Sequence, residues 1–425
     1  MFHITLPYGT ESLALRLPEA WVGWVAQPGE LSFPANEEAV ISSALQAPID
    51  SPPLQAIARP GMRAAILVDD FTRKTPAQRI LPPILEALHQ AGLGSNDIEI
   101  VIALGSHRKM TFDEIENKLG SAIMADYPII QSSAGDAADM MYLGYASNGL
   151  PFYVHRAVAQ ADLRIGVGMI TPHLEAGYSG GAKVILPGVC GAATLDAFHQ
   201  ASAFIDENQL GQLNAPLRVT LEQCVMENTP LHFIINLVLT PENRIYQCVA
   251  GHAVSAHRAG AKAAAQVYGV NFAHRYPVVA ANCYPYDQDL WQSLKGIYCG
   301  DLLVEDGGTL IIATAALEGS LAYPLLPGYI GEDHDALLAK LEARLVQDPK
   351  QASTGMMVSR LQRRIRLALV SKGITQAEAQ TMGIPWFQSI EEAVAEAVNR
   401  LPAERRSGCL AILPQAGVLL PIQAC

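Results

Sequence analysis

The sequence predicts an α/β fold whose sheets are largely parallel. Short, largely apolar runs recur, at residues 64–68 (AAILV), 98–104 (IEIVIAL), 163–170 and 309–314 (TLIIAT). Strands buried on both faces read as continuous apolar runs rather than as alternation. Helical spacing follows several of these runs, and strands alternating with helices give parallel sheets. The most polar loops stand at the carboxyl ends of the predicted strands, where ligands gather in such sheets.

Each element has its own signal. Residues 64–68 end in Asp69-Asp70, and a helical pattern runs over 83–91. The second run ends at Gly105-Ser106-His107. Thr111 and Glu114 then form a capping box, opening a short helix that stops at Gly120. The run over 163–170 leads into a Gly-rich segment at 172–191. Further on, 278–281 and 309–314 read as strands, the latter reached through Asp306-Gly307-Gly308. Residues 334–346 and 389–401 have helical spacing, with Ser389 and Glu392 as a second capping box. An Ala-rich helix gives way to a new strand near 270–277. This suggests an N-terminal α/β domain over 1–272 and a C-terminal α/β domain over 273–425. Ser51-Pro52-Pro53 is a stiff connector, and no repeat or low-complexity tract is present.

Composition narrows the function. The chain has 425 residues, 50% of them hydrophobic and 16% charged, enough apolar material for large cores and too much for a disordered chain. A formal net charge of −12 without a basic block argues against nucleic acid or an anionic membrane as partner. No segment is long enough to span a bilayer and no signal peptide is evident, so the expected location is cytoplasmic. Seven cysteines, an odd number without CxxC spacing, argue against a disulfide framework and a structural zinc site.

Four segments carry candidate chemistry. The densest is 171–183 (TPHLEAGYSGGAK), one His, one Glu and one Lys among glycines. Glycines let backbone approach a ligand and present amide donors to anions. It is not a Walker loop, because Ala182 precedes Lys183 and Val184 follows it. A lysine against such a backbone can instead bond covalently to a cofactor. The second signal is histidine. His107 and His173 each follow a buried strand, so both would face one crevice, and His199 lies on a helical pattern. Imidazole suits acid–base work near neutrality and borderline metals. The third segment, 69–76 (DDFTRKTP), could hold ribose, phosphate or carboxylate, with Arg73 the better carboxylate clamp. A surface pair between Asp70 and Arg73 is equally compatible with these residues. The fourth, 287–296, places Gln292 and Lys295 three apart on one helical face.

Together, DDFTRKTP, GSHRKMT, TPHLEAGYSGGAKVILPGVCG and WQSLKG resemble, in this order and spacing, the LarA-type lactate racemases. These are nickel-pincer nucleotide-dependent 2-hydroxyacid racemases and epimerases. The resemblance runs from Tyr8-Gly9 to the Lys295 region and thins over the last hundred residues. It implies two α/β domains flanking an active-site cleft. It implies a pyridinium-3,5-bisthiocarboxylic acid mononucleotide carrying nickel, tethered covalently to Lys183, with His199 as nickel ligand. By the same resemblance Asp70, Thr72, Ser179, Gly180 and Gly181 are cofactor-binding, His107 and His173 are the acid–base pair, and Arg73, Gln292 and Lys295 bind substrate. Trp291 stands where the family pattern has a smaller aromatic.

The implied chemistry suits the residues. The α-hydrogen of a 2-hydroxy acid is poorly acidic beside a carboxylate. It moves more easily as hydride while a histidine takes the hydroxyl proton. The planar 2-keto acid can reorient and receive hydride on its other face, with the opposite histidine returning the proton. The resemblance also implies cofactor-making partners: a carboxylase, a sulfur-inserting enzyme and a nickel-inserting enzyme. A nicotinamide-dependent 2-hydroxyacid dehydrogenase is the competing class, but no GxGxxG lies between a strand and a helix with an acid about 20 residues on. A non-catalytic nickel- or nucleotide-binding protein is the third, and it would have no need of two histidine bases.

Overall fold

The computed structural model describes the whole chain except Pro28, Glu30, Ser32 and Cys425. It divides into two compact units. One comprises Leu31–Phe198 and Gln212–Val267. The other comprises Met1–Glu30, His199–Gly211 and Tyr268–Cys425. The chain leaves the first unit at Val267, close to the composition change read near 270–277. The units are nevertheless not two continuous halves, because the amino-terminal strands and residues 199–211 belong with the carboxyl-terminal part.

The Leu31–Phe198 and Gln212–Val267 unit is built on a six-stranded sheet. Its spatial order is Ile245–Gly251, Phe233–Leu239, Leu163–Met169, Ala64–Asp69, Ile98–Gly105, Ile129–Ser133. All neighbours pair in parallel except the first two, which are antiparallel. Leu163–Met169 is buried at every position, and Ala64–Asp69 at all but the last, so both faces are covered. One face packs Ile66, Val68, Ile100, Ile102, Ile165 and Val167 against helical residues Ile80, Leu81, Ile84, Leu85 and Leu88. That helix spans Ala77–Gln90, starting six residues before the predicted 83, with Pro82 and Pro83 inside it. Burial of its apolar stripe outweighs the backbone hydrogen bond each proline forgoes. The helix Phe112–Leu119 has the capping box read at Thr111 and Glu114, and it ends at Gly120 with φ +87°.

The second unit holds another six-stranded sheet, in the order Trp386–Phe387, Arg366–Ser371, Val304–Thr314, Tyr276–Asn282, Leu410–Leu413, Val22–Val25, parallel throughout. The strand Val304–Thr314 bulges at Asp306-Gly307-Gly308, where Gly307 has φ +77° and the register passes from Tyr276 with Val304 to Val278 with Thr309; regular pairing begins at Thr309, as the sequence predicts. The antiparallel hairpin Phe2–Tyr8 with Glu11–Leu17 lays Leu6, Leu15 and Leu17 into the core below this sheet. The helix Ile390–Asn399 covers the same face with Ile390, Val394 and Val398. Ser389 caps it, but Glu392 reaches back to the Gln388 amide rather than to that of Ser389. Among the described residues, no helix is long and apolar enough to cross a membrane.

Candidate functional site

Three adjacent parallel strands, Leu163–Met169, Ala64–Asp69 and Ile98–Gly105, send out three loops from their carboxyl ends. These loops carry His173 and Lys183, Asp70 to Arg73, and His107. The topology thus gathers the sequence-predicted groups of this unit at one end of one sheet.

The Ala64–Asp69 strand releases its chain into a tight turn. The Asp70 carboxylate, almost fully buried, accepts from the Thr72 amide at 3.0 Å and the Thr72 hydroxyl at 2.6 Å through one oxygen. Its other oxygen meets His107 Nδ1 at 2.5 Å. Burial alone would raise this carboxyl. The hydrogen bond and charge of His107, the Thr72 hydroxyl and the charge of Arg73 outweigh it and hold Asp70 below the usual carboxylate range. An ionised Asp70 can only accept, so His107 carries its proton on Nδ1 and its basic atom is Nε2. Below the turn, buried Lys118 donates to Asp69 Oδ1 at 2.6 Å, the Asp70 carbonyl at 3.1 Å and the Arg73 carbonyl at 3.0 Å. Thr75 Oγ1 donates to the second Asp69 oxygen at 2.5 Å. The acid and the guanidinium are therefore set by a closed polar network. Arg73 turns its own Nη1 onto Thr72 Oγ1 at 3.0 Å.

The Gly-rich segment folds as a short antiparallel pairing of Pro172–His173 with Gly177–Tyr178, then a 3₁₀ turn over Gly181–Val184. Ser179 staples it. Its hydroxyl donates to the Met169 carbonyl at 2.9 Å and accepts from the Thr171 amide at 2.9 Å. Asn236 Oδ1 accepts from the Gly181 amide at 2.7 Å. Glycine is required at both turn positions. Gly180 and Gly181 have φ of +74° and +60°, and a β-carbon there would lie 2.8 Å from Asn236 Oδ1 and 2.9 Å from the His257 ring.

This turn brings Lys183 Nζ to 2.9 Å from His173 Nε2. The direction of that bond follows from the other ring nitrogen. Amides of Glu175 and Ala176 donate to His173 Nδ1 at 3.2 and 3.4 Å, so Nδ1 is unprotonated and the ring proton is on Nε2. Nε2 then donates, and the lysine must accept through a lone pair, as a neutral amine. Independently, desolvation pushes the Lys183 amine down to about 7. Glu175 opposes this, and the charges of Arg218 and Arg73 add to it. A neutral, half-buried primary amine in a Gly-rich turn fits a group that acylates it.

In the other unit, Gln292 and Lys295 lie on the helix Leu290–Leu303, whose amino end is capped by Asp289 accepting from the Gln292 amide at 2.6 Å. Lys295 Nζ donates to Gln292 Oε1 at 2.9 Å and stands 3.2 Å from the Tyr286 ring centre. Trp291 stacks on Tyr323 with centroids 4.4 Å apart, and Lys350 Nζ lies 4.5 Å from the Trp291 centroid. His199 sits half-buried in the helix Ala192–Ser202, its carbonyl accepting from Ser202 Oγ at 2.6 Å. The unit division falls just before it. Among the described residues no cluster of three or more His, Cys, Asp or Glu side chains could hold a metal ion.

Sequence reasoning passed over Lys118, Asn236, Arg218, His257, Tyr286, Tyr323 and Lys350. A signal existed for Arg218. It lies between Leu217 and Leu221 on a helix, with Glu222 four residues on, a charge placed in an apolar stripe.

The profile of the lactate racemase N-terminal domain matches residues 8–212, and that of the lactate racemase C-terminal domain matches 275–418. The lactate racemase of Thermoanaerobacterium thermosaccharolyticum is 30% identical over 335 residues, covering 75% of this chain and 76% of the relative. That of Lactiplantibacillus plantarum is 29% identical over 324 residues, with coverage of 75% and 76%. The solved lactate racemase apoprotein from T. thermosaccharolyticum superposes with a TM-score of 0.86 at 25% identity, covering 99% of this chain and 100% of that one. A Thermotoga maritima protein shares the fold, with a TM-score of 0.68 at 18% identity over 93% of this chain and 100% of its own. The chain belongs to the lactate racemase family and is by class an isomerase.

Proposed function

We propose that the chain racemises or epimerises a 2-hydroxy acid through a 2-keto acid, using a nickel-pincer nucleotide tethered at Lys183. The carrying observation is the Lys183 Nζ to His173 Nε2 hydrogen bond at 2.9 Å, whose direction requires a neutral amine. When bound, the nucleotide would supply hydride acceptance and return at the substrate α-carbon. Lys183 would hold it by acylation, and His199 would complete the nickel coordination. Ser179, Gly180 and Gly181 shape the turn against which it would lie.

The chain's own residues then do the proton work. His107, with Nδ1–H fixed by Asp70, takes the substrate hydroxyl proton at Nε2. His173 is the base proposed for the opposite enantiomer; taking a proton at Nε2 requires its ring proton to move first to Nδ1, displacing the Glu175 and Ala176 amides. Acylation of Lys183 removes the lone pair to which Nε2 donates, and leaves that atom for the substrate. Arg73 would bind the substrate carboxylate, and Lys295, which donates to Gln292, is a further substrate-binding residue. Maturation enzymes that carboxylate, sulfurise and metallate the nucleotide are the partners this reading requires. The six described cysteines are free thiols, which supports a reducing compartment, the cytoplasm.

The test is peptide mass spectrometry on protein co-produced with those maturation enzymes, with nickel quantified on the same sample. A nickel-dependent adduct on the Lys183 peptide is expected. An unmodified Lys183 peptide, from cells in which a known lactate racemase is modified, would sink the tether and with it this reading.

A further inference from the structure

Arg218 has no part in the chemistry above, yet it is fully buried, with 0% of its surface exposed. It lies in the helix Pro216–Asn228 and sends its planar head under the Gly-rich turn. Nε donates to the Ala176 carbonyl at 3.3 Å, Nη1 to the Gly180 carbonyl at 3.1 Å, and Nη2 to the Tyr178 carbonyl. Glu222, one helical turn on, lies 3.8 Å from Nη1. That carboxylate is also gripped at both oxygens by Arg258, at 2.8 and 2.7 Å. His257 completes the set. Its Nε2–H donates to the Ser179 carbonyl at 2.9 Å, while Nδ1 accepts from Arg258 at 3.0 Å. Four carbonyls within the five residues 176–180 are thus drawn down by Arg218 and His257.

We propose that Arg218 is a positioning residue for Lys183. Its guanidinium gathers the carbonyls of Ala176, Tyr178 and Gly180 and so fixes the turn from which the Lys183 amine reaches His173. Three nitrogens in a rigid fork meet three acceptors, which a lysine ammonium on a flexible stem cannot reproduce. The charge acts in the same sense. Arg218 and Arg258 share the single carboxylate of Glu222, and this surplus positive charge under the turn disfavours a second cation at Lys183. The importance attached to Lys183 rests on its reading as the tether.

The test uses the unloaded full-length protein and two readouts. One is peptide-level hydrogen exchange. The other is acetylation by N-hydroxysuccinimidyl acetate near neutral pH, comparing Lys183 with exposed Lys74. In R218K, which keeps charge and stem, exchange over 176–184 should rise about tenfold, as expected for the loss of hydrogen bonds to a charged group. Acetylation of Lys183 relative to Lys74 should fall by about the same factor, while exchange over Ile98–Gly105 stays at the wild-type rate. E222Q, which loosens the seat of Arg218, should give the same pattern more weakly. Wild-type exchange and wild-type Lys183 reactivity in R218K would overturn the proposal. Loss of protection at Ile98–Gly105 together with 176–184 would also overturn it, leaving Arg218 a purely structural residue. A missing nickel-dependent adduct on wild-type Lys183 defeats the tether reading instead, since the unloaded protein judges Arg218 by itself.

Discussion

Replacement of Asp70 by asparagine isolates one link, the hold on His107. Asparagine fits the same space and can still accept from the Thr72 amide and hydroxyl through its one oxygen. The atom facing His107 Nδ1 then becomes an NH₂ group, which donates where a carboxylate accepted. His107 must shift its proton to Nε2, the atom required as base. The imidazolium formed during turnover also loses a charge-assisted hydrogen bond now made at 2.5 Å. Such a bond contributes about 1.5–3 kcal/mol. His107 is 33% exposed at its side chain, so solvent screening favours the lower end. At about 1.4 kcal/mol per tenfold, this loss costs roughly 10-fold in rate. The tautomer change multiplies it, and the combined fall should lie at about 10²–10⁴. The assay is kcat for each enantiomer of the 2-hydroxy acid that the wild type turns over, followed by polarimetry at equal Lys183 adduct occupancy. If D70N, loaded normally, keeps activity within about threefold, the Asp70 to His107 link has no catalytic weight and the base assignment fails.

Further outcomes follow from other contacts. Lys118→Met strips a buried ammonium from Asp69 and from two carbonyls. It should lower stability to urea by about 3 kcal/mol, and a midpoint unchanged within error would show that the network is not holding the turn. Replacing His107 or His173 by alanine should abolish turnover in both directions, and normal rates in either variant would reject the two-base scheme. For Lys183, an amine at about 7 in the fold and about 10.4 unfolded means that the unfolded chain binds more protons between those values. Stability therefore rises with pH across that window. K183M should abolish that part of the rise in urea titrations of unloaded protein from pH 7 to pH 10, and identical slopes would place Lys183 among ordinary lysines. Lys295→Met should reduce kcat/KM by about 10- to 100-fold through loss of a charged carboxylate contact, mostly in KM; unchanged kinetics would remove Lys295 from the substrate side.

The parts of this molecule legible in its sequence are those governed by local pattern. Residues 64–68 and 98–104 read as strands because they are apolar at nearly every position, and both are central strands of a parallel sheet. Thr111 and Glu114 read as a helix start because a capping box is a short-range device. His107, His173, Asp70 and Lys183 were legible as candidates because functional loops leave the ends of such strands. What was hidden depends on distant partners. Pro82 and Pro83 suggested a later helix start, and only the apolar bed under Ile80 and Leu81 overrides them. Gly307-Gly308 read as an entry to a strand, and the ladder is indeed irregular there, passing from Tyr276 with Val304 to Val278 with Thr309, although one strand spans Val304–Thr314. Val22–Val25 gave no sign of its neighbour Leu410–Leu413. The proton positions on His107 and His173 follow from Asp70 and from two backbone amides, which no spacing rule reports.

The pairing of Val22–Val25 with Leu410–Leu413 has a consequence for the nascent chain. Val22–Val25 is synthesised long before Leu410–Leu413, so its place in the sheet is defined only after that partner has been made. At roughly 5–20 residues per second that interval is on the order of a minute. Before its end every strand of the Leu31–Phe198 and Gln212–Val267 unit has been synthesised, whereas the core shared by Leu6, Leu15 and Leu17 still awaits Cys409, Leu410 and Ile412. The order of biosynthesis thus favours early completion of the sheet that carries Lys183 and both histidines, and leaves the amino-terminal hairpin as the segment a chaperone would shelter longest.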